Sequence, residues 1–430
     1  MKKLLCIVLA GMLCLSCLTG CRAQNQNAAP GAAPAKTNAA TEAPTEPATE
    51  EPAPGTTEPV QPIIQPIASP LGFTEFDSRL IAFLREQELD GENFAVSPLS
   101  FRAALALAAS GAEGETLNQL LAVMGFRSVD EMNAWYGSVL AGVDQFADSL
   151  AMWGGEKGDS AYRVVNSAWK NEDLPGNFRE DYVKAVAAQY RADAASAPAA
   201  GLADAVNAWV NEQTNGLIPK LLNDASNSAA VLVNALYLKA CWLEPFAAAE
   251  TADFAAADGS AVRKDYMQQT SRMPYYEDEN CQLVSVPLQG GVWMVFVLGN
   301  AENLPQKLSR AEMERVHVTV PKFDLETSLA NQELKRFLGS VGCTRMFSGE
   351  AEFDPMFTES LFVDDIIQKS KVKIYEEGLE AAAATGIIMK NTAVLNPEQP
   401  KEFRADRAFS FYILQGEDAP ELLFWGQIVR

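Results

Sequence analysis

The sequence is almost without histidine, and this scarcity removes most of the common catalytic sites. His317 is the only histidine among the 430 residues. It lies in residues 315–320, where polar and apolar side chains alternate as in a strand with one polar face. The sequence also lacks the GxSxG motif of serine hydrolases, the HExxH motif of zinc peptidases and a glycine-rich phosphate loop. We therefore expect no catalytic residues and a protein that is not an enzyme.

Cysteine and positive charge are scarce as well. Beyond residue 21 the cysteines are Cys241, Cys281 and Cys343, an odd number far apart in sequence, which indicates neither a disulfide framework nor a zinc site. We expect them to be small core residues, and we predict no metal and no cofactor. The 56 acidic residues exceed the 34 basic ones, giving a net charge of −22. This balance argues against nucleic acid and against an anionic membrane surface as partners.

The N-terminal segment is typical of a targeting signal. A basic start at residues 1–3 precedes an apolar run over residues 4–18, which is too short for a secure membrane span. The run ends in LTGC at residues 18–21, which resembles a bacterial lipoprotein processing site. We predict a signal peptide over residues 1–21, a lipid on Cys21, and a location on the extracellular face of a bacterial cell envelope, with membrane contact only through the lipid. The alternative is an ordinary secretory signal with an incidental cysteine.

The remaining sequence divides into a tether and one domain. Residues 22–68 are mostly Ala, Pro, Thr and Glu, and such a segment cannot bury enough apolar surface to offset its ordering entropy, so we predict a disordered tether. No second linker of this composition follows, so residues 69–430 are expected to form one domain. Helical spacing dominates its first part and strands dominate from residue 282, apart from a helix predicted at 326–341. This order indicates an α+β fold with large sheets.

Two segments of the domain are unusual. Residues 230–242 are almost continuously apolar, which predicts a strand covered on both faces, and Asn234 within it then needs hydrogen-bond partners. Residues 376–400 separate the strands predicted at 371–375 and 408–414 and show no packing period. Loops longer than about 12–15 residues are usually functional or disordered. The alanines at 381–384 favour a helix but are also small enough to enter a sheet, so this segment is a candidate conformational switch.

Several segments resemble those of serpins, and they follow one another in the same order as in the serpin family. They are NFAVSPLS at 93–100, VNAWVNEQTNGLIPKLL at 206–222, VNALYLK at 233–239, WLEPF at 242–246, PKF at 321–323, EEGLEAAAAT at 376–385, FRADR at 403–407 and LFWG at 423–426. The resemblance covers nearly all of residues 70–430. It implies the serpin fold, with large mixed sheets, about eight or nine helices and an exposed reactive-centre loop, in a monomeric protein.

The resemblance implies a protease inhibitor that acts as a suicide substrate. A target serine protease, or alternatively a cysteine protease, attacks the loop and forms an acyl-enzyme. The freed front half, expected at residues 379–388, then inserts into the main sheet, and the trapped protease is distorted. The hinge of the loop would consist of Glu376, Glu377, Gly378, Leu379, Glu380, Ala381, Ala382, Ala383, Ala384 and Thr385. The rival interpretation is a non-inhibitory surface serpin that acts as a binding or structural protein.

The reactive bond is predicted from the usual family spacing. Counting forward from Gly378 reaches Thr392 and Ala393, whose small side chains would suit an elastase-like or subtilisin-like protease. Lys390 and Asn391 are the alternative and would suit a trypsin-like protease. Counting back from Phe403 reaches as far as residue 397, because the loop is longer than a short family loop by about five residues.

Five further residues resemble the serpin positions that control opening of the main sheet. Ser97, Ser100, Asn234 and Gln368 correspond to a polar cluster, the shutter, and Trp242 to the breach, where insertion begins. Gln368 replaces the usual histidine, so its amide still donates and accepts but gives no pH response. Leu379 replaces the usual threonine or serine at the first inserting position, so it either fits the sheet or slows insertion.

Overall fold

The computed structural model describes seven stretches of the chain, namely residues 73–89, 91–152, 160–300, 302–329, 331–379, 399–416 and 420–430. The predicted signal peptide with Cys21, the predicted tether and residues 380–398 of the predicted reactive loop lie outside the described residues. These predictions therefore stay predictions.

Eight α-helices lie within the described residues, most of them in the first half of the domain. In chain order they are α1 (Glu75–Phe83), α2 (Pro98–Ala109), α3 (Gly114–Met124), α4 (Val129–Met152), α5 (Glu180–Tyr190), α6 (Leu202–Gln213), α7 (Leu304–Ser309) and α8 (Asn331–Ser340). The Ser97 side chain accepts a hydrogen bond from the Ser100 N–H and caps α2, with Pro98 at the first helical position, as the adjacent serine and proline favour. No helix in the described ranges is both long and apolar enough to cross a membrane.

Strands dominate the second half of the domain. They are β1 (Phe94–Val96), β2 (Ala161–Asn171), β3 (Asp193–Ala197), β4 (Ala230–Cys241), β5 (Ala247–Ala248), β6 (Ala252–Ala255), β7 (Ala261–Lys264), β8 (Tyr266–Glu277), β9 (Cys281–Leu288), β10 (Val292–Gly299), β11 (Glu312–Pro321), β12 (Phe323–Leu329), β13 (Asp365–Tyr375), β14 (Gly378–Leu379), β15 (Lys401–Arg404), β16 (Phe409–Gln415) and β17 (Glu421–Ile428). The large sheet has the order β1-β17-β16-β10-β9-β8-β11-β15, with β5 beside β8, and the central sheet has the order β12-β13-β14-β4-β2-β3. Strands β6 and β7 form a separate hairpin.

One helix prediction differs from the structure, and one helix ends where its sequence indicates. α6 ends at Gln213, and Asn215 and Gly216 follow with positive φ angles of 50° and 82°, which is the stop that this dipeptide favours. The helix expected at 326–341 begins only at Asn331, because residues 323–329 form β12. Their burial alternates with a period of two, and the strand pairs with β13 along its whole length.

The long apolar strand β4 is covered on both faces, as its composition predicts. Leu232, Leu236 and Leu238 pack into the main hydrophobic core, which also contains residues of β16 and β17. The alternating residues Val233 and Tyr237 pack on the opposite face in a second cluster that includes apolar residues of α6. The central sheet is therefore the middle layer of the domain, so any strand added to it must present small or apolar side chains on both faces.

A charged side chain lies in the core beneath α2. Arg102 is 5% exposed, and its guanidinium lies 4.4 Å from the ring centre of Phe126 and 4.5 Å from that of Trp135. The Trp135 Nε1 donates a hydrogen bond to the Glu421 carboxylate at 3.1 Å. Burial raises the pKa of Glu421 above its ordinary value, and the negative charge of Asp77 adds to this shift while Arg102 opposes it.

This burial predicts how Glu421 affects stability at different pH. A carboxyl group with a raised pKa in the folded state stabilises the fold increasingly as pH falls through that pKa, and this contribution is lost as pH rises above it. The difference in stability between Glu421→Gln and wild type should therefore favour the variant more at about pH 7 than at about pH 5. Melting temperatures of both proteins at the two pH values test this prediction. Glu312 is exposed, so Glu312→Gln serves as the control. The same pH dependence in wild type and Glu421→Gln would contradict the prediction.

Candidate functional site

The predicted hinge begins as a tight hairpin at one end of the central sheet. β13 ends at Tyr375, residues 376 and 377 turn, and β14 runs back beside it. β14 is antiparallel to both of its neighbours, since Leu379 faces Ile374 of β13 on one side and Ala240 of β4 on the other. The first inserting position of the predicted mobile strand therefore already lies within the sheet.

Glycine is required at the first position of β14. Gly378 has a φ of 153°, and a Cβ atom at this position would lie 2.3 Å from the carbonyl oxygen of Ala240. Both the backbone conformation and the close approach to β4 exclude a side chain. The glycine that the family resemblance places in the hinge thus has a steric reason in this chain.

Trp242 and its neighbours hold the turn of the hairpin, close to where the resemblance places the breach. The side chain of Trp242 is 1% exposed. The hydrogen bonds run from Trp242 Nε1 to the Tyr375 carbonyl at 2.8 Å, from the Trp242 N–H to the Glu377 carbonyl at 2.9 Å, and from the Phe246 N–H to the Glu376 carbonyl at 2.8 Å. Lys322 adds an ion pair with Glu376 at 3.0 Å. The turn is therefore fixed to the end of β4 and to the start of β12.

The central sheet is incomplete between β13 and β4. Among the described residues these two strands pair directly only where 365–369 lie parallel to 231–235. Between these pairs and β14, residues 370–373 of β13 and 236–239 of β4 are not paired with each other. Leu379, 2% exposed, closes the gap at one end and lines a narrow cavity of about 10 Å³ that is bounded by Leu217 on one face of the sheet and by Phe424 on the other.

The four predicted shutter residues come together directly below this gap. Gln368 Nε2 donates to Asn234 Oδ1 at 3.1 Å and to the Ser97 carbonyl at 2.8 Å. Ser100 Oγ donates to Asn234 Oδ1 at 2.8 Å, and Asn234 Nδ2 donates to the Ser100 carbonyl and, at 2.6 Å, to Asn166 Oδ1. Each of these five residues is at most 1% exposed. The buried amide of Asn234 thus has the partners that its position requires.

Asn166 is a member of this cluster that sequence analysis missed. Asn234 faces Gln368 on β13 and Asn166 on β2, so three amide side chains lie in one row across three strands. The Asn166 Nδ2 also donates to the Tyr136 hydroxyl of α4 at 2.9 Å. Burial raises the pKa of Tyr136, so this hydroxyl stays neutral. A polar residue inside an apolar strand was the available signal, and it is the same signal that identified Asn234.

The histidine and the cysteines take the positions expected of structural residues. His317 lies on β11, where its Nδ1 is 2.8 Å from Thr270 Oγ1 of β8. Cys281 and Cys343 are buried and Cys241 is partly buried, and none of the three takes part in a disulfide bond within the described residues.

A protein-family model described as serpin (serine protease inhibitor) matches residues 72–430. The chain belongs to the serpin family. Serpins are generally protease inhibitors and not enzymes. The predicted α+β serpin fold is confirmed, with eight helices in the described ranges and large mixed sheets.

Relatives of this serpin occur in distant organisms. Leukocyte elastase inhibitor A of Mus musculus is 31% identical over 388 residues, which cover 83% of this chain and 97% of that protein. An uncharacterised serpin-like protein of Thermococcus kodakarensis is 30% identical over 366 residues, covering 80% of this chain and 82% of that protein. Among solved structures, Serpin48 of the insect Tenebrio molitor has a TM-score of 0.67 and 28% identity, covering 83% of this serpin and 98% of the insect chain.

Some predicted site residues lie outside the described residues. These are hinge residues 380–385, the predicted reactive bond between Thr392 and Ala393, and its alternative between Lys390 and Asn391. The described part of the hinge, residues 376–379, is docked on the sheet. The roles of all these residues in inhibition stay predictions.

The polar cluster predicts a large effect of removing its central amide. Asn234→Ala would leave the Ser100 carbonyl and Asn166 Oδ1 buried without their donor, and we expect the free energy of unfolding to fall by about 3 kcal/mol. Urea denaturation measures this change. The control is Asn118→Ala. Asn118 is exposed and makes a 3.5 Å contact with Glu115, so its removal should change the free energy of unfolding by no more than about 0.5 kcal/mol. Equal effects of the two substitutions would show that the cluster does not hold the sheet.

Proposed function

We propose that this serpin inhibits a serine protease, or alternatively a cysteine protease, as a suicide substrate through the established loop-insertion mechanism of its family. The observation that carries the proposal is β14. It lies between β13 and β4, antiparallel to both, at the head of the gap between them. An inserting strand must take this position and this direction. Insertion after loop cleavage would therefore extend a strand that is already present.

The register of β14 supports this role. Leu379 faces Ala240, so each residue further along the loop would face one residue further back on β4. Extension to Val231, the last residue of β4 that pairs with β13, would use residues up to Ile388. This end point coincides with the mobile strand 379–388 expected from the family resemblance.

The side chains of this stretch suit the positions that they would take. Every second residue from Leu379 would face the main core, which places Ala381 and Ala383 opposite Leu238 and Leu236 of β4, both buried. Thr385 would face Asn234, the centre of the polar cluster. Small residues would therefore enter the apolar part of the gap and a hydroxyl group would reach the polar row.

Insertion would be strongly favourable. About nine further residues would bond to strands on both sides, and the five direct pairs between β13 and β4 would be lost. The net gain is about a dozen backbone hydrogen bonds at about 1 kcal/mol each. The uninserted form would then persist because its conversion is slow, not because it is the equilibrium state.

The proposed target is an elastase-like or subtilisin-like serine protease. Thr392 and Ala393 have the small side chains that such proteases accept, and the relative in mouse is named leukocyte elastase inhibitor A. We further propose that the serpin is a monomer, anchored by a lipid on Cys21 to the extracellular face of a bacterial cell envelope. The sequence of residues 1–21 supports this location.

The proposal predicts a covalent complex with the target protease. Incubation of the purified serpin with an elastase-like protease should give an SDS-resistant complex and release a C-terminal peptide. Mass spectrometry of that peptide locates the reactive bond, and a peptide that begins at Ala393 is expected. A peptide beginning at Asn391, released together with a complex by trypsin, would move the bond to the alternative site.

The rival function, a non-inhibitory surface protein, predicts a different result in the same experiment. Rapid loop cleavage without a complex, and without a large rise in melting temperature, would exclude the inhibitor mechanism. A large rise in melting temperature after cleavage would count against the rival, because it reports completion of the central sheet.

The register also predicts which loop substitution blocks insertion. Ala383→Arg would place a charged group opposite Leu236 in the main core, at a cost of several kcal/mol. The variant should be cleaved as a substrate, with at least about a tenfold loss of SDS-resistant complex. In the control, Gln399→Arg, the same side chain is introduced at an exposed position beyond the proposed strand, and complex formation should persist. Normal complex formation by Ala383→Arg would refute the register.

A further inference from the structure

We infer that β14 is a preformed nucleus for loop insertion and that Leu379 is the positioning residue that holds it in the sheet. The inference rests on the proposed inhibitor function and goes beyond it, because it concerns how the reaction divides between trapping and hydrolysis. After cleavage, the acylated serpin either inserts its loop or is hydrolysed and released. A nucleus that is already docked favours insertion in this competition.

The position of Leu379 supports a nucleating role. Its side chain is 2% exposed and lines the narrow cavity with Leu238 of β4 and Val372 of β13. Because β14 already has the direction and register of an inserted strand, Leu379 would occupy the same site before and after insertion. Its burial is therefore not a step that insertion has to make.

The physical advantage lies in the order of costs and gains. Starting a strand between two others fixes the backbone of several residues before the ladder rewards them with hydrogen bonds. In this serpin the turn at 376–377, the glycine conformation at Gly378 and the apolar contacts of Leu379 already meet that cost. Each further residue would then add hydrogen bonds to an existing ladder without a second cost of starting a strand.

Leucine at position 379 should therefore speed loop insertion, whereas the sequence left open that it slows insertion. That expectation assumed that the side chain starts in solvent and must be buried during insertion. A threonine in the same cavity would bury less apolar surface and leave a hydroxyl group among the apolar side chains of Leu238, Val372 and Phe424. The hairpin would then undock more often, and insertion would begin without a nucleus.

The experiment compares Leu379→Thr with a matched control, Leu243→Thr. Leu243 lies next to Trp242, but its side chain is 38% exposed. The first readout is hydrogen exchange at the amides of Trp242 and Phe246, which donate to the carbonyls of the turn. Leu379→Thr should speed this exchange by about tenfold, and the control should leave it unchanged.

The second readout is the stoichiometry of inhibition, the moles of serpin consumed for each mole of elastase-like protease inactivated. Leu379→Thr should raise it several-fold because more acyl-enzyme is hydrolysed before insertion. Faster exchange together with a higher stoichiometry supports the inference. An unchanged exchange rate would show that Leu379 does not hold β14. Faster exchange with an equal or lower stoichiometry would show that docking does not promote trapping.

A third measurement separates failure of this inference from failure of the proposed function. If wild type forms no complex with any protease tested, the inhibitor proposal fails, but the loop can still be cleaved by a non-target protease. The time course of the rise in melting temperature then follows insertion alone. A slower rise in Leu379→Thr than in wild type and Leu243→Thr supports the nucleus. Equal time courses, or no rise in any of the three proteins, overturn it.

Discussion

The incomplete pairing between β13 and β4 is the constraint on which the rest of this serpin depends. The two strands are joined directly by five parallel pairs and by the amide row, and above these pairs the two residues of β14 are the described residues that lie between them. Both strands are otherwise well placed, since β12 and β2 cover their outer edges. The sheet would gain a full ladder from one more strand, and β14, which begins the proposed mobile strand, lies at the head of the gap. The free energy of that missing strand is the driving force of the proposed mechanism.

The polar cluster below the gap joins its strands through directional hydrogen bonds, and this fixes their arrangement. Apolar contacts are non-directional and would hold two strands at a range of separations. The hydrogen bonds of Gln368, Asn234 and Asn166 are directional, and they are satisfied only when β13, β4, β2 and the start of α2 stand in one arrangement. The polar cluster is therefore either fully hydrogen-bonded or broken, with few intermediate arrangements. Gln368, where the family resemblance leads one to expect a histidine, makes these bonds without introducing a group that changes charge near neutral pH.

Part of the candidate site was predictable because its signals are local. The cap and proline that start α2 lie next to each other in sequence, and the two-faced strand β4 is evident from its apolar run. The helix expected at 326–341 was partly wrong because residues 323–329, whose burial alternates with a period of two, form β12 and pair with β13 along their whole length. Asn166 carried the same signal as Asn234, but its meaning depends on the register of β2 against β4. No local pattern contains that register.

The sequence by itself determined the start of α2, the covered strand β4, the small side chains of the mobile segment and the order of motifs that defines the family. Each of these depends on residues close together in the chain. Only the tertiary structure decided that the amides form one row, that a gap lies above it, and that Leu379 already sits in that gap. The reason is that these features are set by strand pairing between distant residues, such as Gln368 and Asn234, which are 134 positions apart. Leu379 therefore looked like a possible obstacle in the sequence and is a docked part of the sheet in the fold.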